Sequence, residues 1–151
     1  MSTLLAVSRP TDWNFPLFVH VLGAMILVGG LLTSVSVLAY ARGDARFLRL
    51  GYWTLLAVAL PGYIVMRVGA EWIYSKGWDE VEDEPAWIGI GYVIADAGAL
   101  LTLIALILGG IGVRRLRDGK GTGLLKATMI LALIVLVAAL VAVWAMSGKP
   151  D

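Results

Sequence analysis

Four residues able to do chemistry lie inside long apolar runs: His20, Arg67, Glu71 and Asp96. A charged side chain at the centre of a membrane helix costs about 2.5–3.5 kcal/mol on insertion scales, so such groups normally face protein and find partners. Arg67 and Glu71 stand four residues apart and share a helix face, which suits an ion pair. An imidazole such as His20 can relay protons or ligate heme iron or copper. Thioethers supply a natural second axial ligand. Met66 beside Arg67 and Met25 about one turn beyond His20 are the candidates, and Arg67 is a candidate partner for a heme propionate. The chain has a single histidine and no cysteine, so thiolate metal sites, disulfides and cysteine nucleophiles are excluded. No hydrolase serine motif accompanies the histidine.

The elements that must position these groups are membrane helices. The chain is 60% hydrophobic and only 15% charged over 151 residues. Soluble domains are nearer a quarter charged. About 20 apolar residues cross the roughly 30 Å of hydrocarbon. Four stretches qualify, at about 15–40, 51–72, 87–113 and 124–147, joined by short polar segments. The expected fold is all-α: a polytopic four-helix up-down bundle forming one membrane domain over residues 1–151. The net charge of +1 lacks the basic face a nucleic-acid binder needs. The first apolar run, from Phe15, is too long for a cleavable signal and reads as a permanent span.

Basic residues set the expected orientation. Arg42, Arg46 and Arg49 follow the first span; Arg114, Arg115, Arg117, Lys120 and Lys126 follow the third. The opposite side has Arg9, Lys76 and Lys149. The positive-inside rule places the richer side in the cytoplasm and both termini outside, as a multi-pass protein of a cell membrane. The acidic run from Asp79 to Glu84 then also lies outside and reads as a solvated loop. Trp13, Trp72, Tyr74, Trp78, Trp87 and Trp144 mark the outer border; Tyr40, Tyr52 and Trp53 mark the inner one.

Helix geometry places His20 about 7 Å and Asp96 about 13 Å below the outer starts of their spans. Side chains lean toward the helix N-terminus, so Arg67 leans inward and Asp96 outward, and the two converge. The expectation is a polar cluster of His20, Arg67, Glu71 and Asp96 in the outer half of the bundle. The competing reading has Arg67 and Glu71 snorkelling to headgroups and His20 merely donating to a backbone carbonyl. Gly23, Gly30 and Ser34 on span one, and Gly91, Ala95, Gly98 and Ala99 on span three, mark close-packing stripes. Gly109, Gly110 and Gly112 extend the second stripe. Pro61 should kink span two and free the Ala57 carbonyl. Span four carries little but Thr128 among its aliphatics and reads as a packing or lipid-facing helix.

The segment Phe18-Val19-His20-Val21-Leu22-Gly23-Ala24-Met25-Ile26-Leu27-Val28-Gly29-Gly30-Leu31-Leu32 resembles the first helix of small bacterial inner-membrane proteins of the copper-resistance D (CopD) type. It is also similar to the first helix of four-helix heme proteins of the protoporphyrinogen oxidase type, which carry a histidine there. The resemblance implies that His20 is a copper or heme ligand. The tryptophan usual before the glycine pair is replaced by Leu27 and Val28, and the oxidase type's third-helix lysine is absent, so oxidase activity is not carried over. Three function classes follow. One is a membrane protein binding heme or copper through His20, with Met66 and Arg67 beside the cofactor. The second is an accessory or assembly subunit of a larger membrane complex. The third is a proton-coupled transporter or channel acting as a homo-oligomer.

Overall fold

Tyr40 and Asp44 lie only four residues apart, and the chain reverses between them because two residues adopt positive φ. Arg42 has φ 44° and Gly43 has φ 95°. The Asp44 carboxylate then accepts from the Arg46 amide at 2.8 Å and caps the next helix, satisfying one of its orphan N–H groups. This cap starts the second span at Ala45, six residues before the apolar run begins. Arg46 and Arg49 are therefore helical, not loop residues as the sequence suggested.

The computed structural model describes residues 11–77 and 85–148. The acidic run, Arg9 and Lys149 lie outside the described residues. A short 3-10 turn, Thr11–Trp13, leads into α1 (Asn14–Tyr40). Then come α2 (Ala45–Thr54), a π turn (Leu55–Ala59) and α3 (Leu60–Gly77), which run on as one span. After Pro85 follow α4 (Ala86–Arg115), a 3-10 turn (Leu116–Asp118) and α5 (Thr122–Gly148). The described residues are helical and contain no strand. Four helical segments are long and apolar enough to cross a membrane.

Pro61, expected to kink the span, follows a π turn. The five-residue π turn immediately precedes it, with the Leu60 amide reaching back to the Leu55 carbonyl. An inserted π turn absorbs the misfit of the proline ring and lets the span continue.

Packing is unequal around the ring of helices. α1 lies against α3, α4 against α5, and α1 against α5, whereas α3 and α4 barely touch. The α1–α3 contact is backbone on backbone. Gly23 faces the Met66 backbone and Gly30 the Ala59 backbone; reciprocally, Gly62 faces Leu27 and Gly69 faces His20. Small residues thus let the two helices approach without the hydrophobic drive that lipid cannot supply. Gly23 and Gly30 were legible as a stripe; their counterparts Gly62 and Gly69 were not. The core is Leu27, Leu31, Leu55, Ala59, Ala105, Ala132, Val135 and Leu136. Polar hydroxyls are used sparingly: Ser34 donates to the Gly51 carbonyl at 2.7 Å, and Thr128 to the Ala105 carbonyl at 3.2 Å.

A Cβ at Gly69 would stand 2.6 Å from His20 Cα, where neither backbone can yield. Gly69→Val should therefore destabilise the bundle by about 1–3 kcal/mol, as overpacking does. Gly89→Ala, with open space at its Cβ position, should be neutral. Thermal denaturation of both variants in detergent checks this; equal midpoints would show that the glycine contact carries no stability.

Candidate functional site

The site begins with the glycine contact, because Gly69 brings the His20 backbone against α3. From there the imidazole Nδ1 lies 3.0 Å from the Met66 carbonyl oxygen. A carbonyl only accepts, so Nδ1 must carry the proton and donate. In the neutral ring of that tautomer, Nε2 carries the bare lone pair, across the ring from Nδ1. A metal-ligating histidine is held in the same way, one nitrogen donating to fix tautomer and orientation while the other binds. The sequence offered carbonyl donation as an alternative to ligation. The geometry makes the two compatible.

His20 forms part of the wall of two spaces. One is a cavity of about 100 Å³ in the interior of the bundle, bordered by His20, Tyr63, Met66, Arg67, Tyr92 and Met146. The other is a groove of about 1080 Å³ lined mainly by α1 and α5 and reaching α3 and α4, with Trp13, Met25, Trp87, Tyr92 and Met146 on its walls. Met146 lies on both, and α5 adds Val135, Ala139, Ala142 and Val143 to the cavity. The fourth span packs against α4 and α1 and exposes aliphatics outward, as expected of a packing or lipid-facing helix, and its small residues also border the cavity. Met146 escaped the sequence reading because a methionine near the end of an aliphatic helix gives no signal. Tyr63, which donates to the Ala95 carbonyl at 3.3 Å, and Tyr92 were also missed, because depth along a helix does not show which way a tyrosine faces.

Arg67 is heavily engaged. Its Nε lies 3.1 Å from Glu71 Oε1, its Nη2 lies 3.1 Å from Asp96 Oδ1, and the guanidinium carbon sits 4.7 Å above the centre of the Tyr92 ring. The convergence of Arg67 with both acids is as the helix directions implied. Two parts of the expected cluster differ. No hydrogen bond or ion pair joins His20 to the other three; it shares only the cavity wall with Arg67. The acids also turn away from that cavity, with the Asp96 side chain 67% and the Glu71 side chain 52% exposed, against 28% for Arg67. The cause is the splay of α3 from α4, which opens a seam that only long side chains bridge. The two carboxylates engage Nε and Nη2, while the five N–H donors of a guanidinium leave Arg67 capacity for a further anion.

Among the described residues, no three His, Asp, Glu or Cys side chains gather as a metal site. The donor set around His20 is one imidazole with thioethers, which suits soft or borderline metals rather than hard cations. Met25, the other thioether considered, lies on the groove wall and is 69% exposed. Comparison with family models, with curated proteins and with solved structures finds no match to this chain.

Proposed function

We propose that the chain is a multi-pass membrane protein that binds heme through Nε2 of His20. The observation that supports this reading is the Nδ1 hydrogen bond to the Met66 carbonyl, which orients the ring and leaves Nε2 as the nitrogen available to a ligand. The groove beside it has the volume of a cofactor site, and its walls are largely apolar and aromatic. Met146, on the α5 side of the groove, is the second residue that would hold the group, through its thioether sulfur. Bound there, heme would supply redox chemistry, while the protein's part is ligation, orientation and an apolar surround.

Copper is the second reading, favoured by the smaller cavity. A space of about 100 Å³ holds an ion and not a porphyrin, and His20, Met66 and Met146 all border it. Both readings agree with what the first-helix resemblance implies. The arginines at the opposite end of the bundle support a cytoplasmic assignment for that end. His20 then lies in the non-cytoplasmic half, with both termini outside.

Full-length protein purified in detergent from heme-replete cells should show a Soret band, reduced at least tenfold in His20→Ala. Met146→Ala should keep the band but shift it. Stoichiometric copper without a Soret band, lost in the same His20 variant, would replace heme by copper. Wild-type protein carrying neither would end the cofactor reading and leave the accessory-subunit and transport readings. For the orientation, Asp118→Cys in this cysteine-free chain should resist a membrane-impermeant maleimide in intact cells and react after lysis; labelling in intact cells would invert the topology.

A further inference from the structure

The seam between α3 and α4 carries an unresolved problem of solvation. Asp96 lies about 13 Å along the helix from Trp87 and about 27 Å from Arg114, well inside the apolar length of α4. Its carboxylate is nevertheless two-thirds exposed on the outer surface of the bundle. An aspartate side chain is too short to reach the headgroups from that depth, unlike a lysine or arginine stem. Above and below it on the same face stand Val93, Leu100, Leu103 and Ile107, all more than half exposed. The outer face of α5 has a similar row of exposed aliphatics, including Ile130, Val137 and Leu140, and its one charged residue, Lys126, stands within about one turn of the helix start, where a lysine stem reaches the helix end. Asp96 is what sets the α4 face apart.

We propose that this face docks a second copy of the same chain, with the Arg67–Asp96 pairs of the two copies set against each other. The argument is charge complementarity. The pair bridges α3 and α4 at 3.1 Å, so its dipole runs across the seam, roughly in the plane of a membrane. A two-fold axis along the membrane normal reverses any in-plane direction. Two such dipoles brought together by that symmetry lie antiparallel, each Asp96 facing the partner's Arg67. A C2 interface requires this kind of self-complementary patch. Docking also removes the carboxylate from acyl chains and gives it a second guanidinium, while Glu71, one turn nearer the terminal end, stays at the rim. The surrounding aliphatics supply the packing surface, and one polar pair within an apolar seam fixes register.

The test uses disulfide cross-linking of full-length single-cysteine variants in native membranes. Leu100→Cys and Leu103→Cys on α4 should give a covalent dimer on mild oxidation, at least fivefold more than Ile130→Cys or Val137→Cys on α5. Adding Asp96→Asn to Leu100→Cys should cut the dimer at least fivefold. The double exchange Arg67→Asp with Asp96→Arg reverses each dipole and preserves self-complementarity, so it should restore the dimer. Equal cross-linking on the two helices would overturn the proposal, as would its absence on α4. Because the single-cysteine chains retain the ion pair, either result stands even if a charge variant misfolds. Cross-linking that ignores Asp96→Asn would show a packing interface without the charge pairing.

Discussion

Glycine on both sides of the α1–α3 contact is the constraint on which the rest of this structure depends. In lipid, two helices gain little by hiding aliphatic surface from one another, so their association rests on close van der Waals packing and on polar groups that find partners. Gly23 and Gly30 on α1 meet the backbone of the second span, and Gly62 and Gly69 on α3 meet the backbone of α1. The approach is close enough for a side chain on one helix to bond a main-chain group on the other. His20 does so with the Met66 carbonyl. A larger residue at Gly69 would push the helices apart and remove the one hydrogen bond that fixes the imidazole.

From this contact two distinct regions diverge. On the α1–α5 side, small α5 residues leave open space next to a histidine whose ring is oriented by its Nδ1 hydrogen bond. On the α3–α4 side, the helices splay, and Arg67 holds Asp96 and Glu71 across the gap. The two regions share a wall at Arg67 and Tyr92, yet their chemistry is separate: a neutral donor with thioethers on one side, a charged triad on the other. Ion pairs at this depth contribute mainly by sparing each member a solitary charge in hydrocarbon.

Much of the architecture was legible because bilayer thickness demands long apolar runs, and such runs stand out in any chain. The four spans appear where hydropathy puts them, with the second longer at its start because Asp44 caps a helix that apolarity alone does not reveal. Arg67, Glu71 and Asp96 were legible as partners because helix direction and 1.5 Å rise fix their depths. What stayed hidden depends on which helices are neighbours. Periodicity gives depth along an axis and says little about rotation or ring order, so the separation of His20 from the acids, the exposure of Asp96 and the place of Met146 needed coordinates. Pro61 was visible as a break in the pattern, but not the π turn that accommodates it.

The central claim is that the bundle fixes the His20 ring through Nδ1 donation to the Met66 carbonyl, leaving Nε2 as the nitrogen able to ligate. Since the chain has one histidine, its ring nitrogens can be read without ambiguity in full-length, cofactor-free protein labelled with ¹⁵N-histidine. The account predicts a single slowly exchanging tautomer, with Nδ1 protonated and hydrogen-bonded and Nε2 showing the shift of a bare nitrogen. A proton on Nε2, or one averaged signal from a ring exchanging between tautomers, would contradict it.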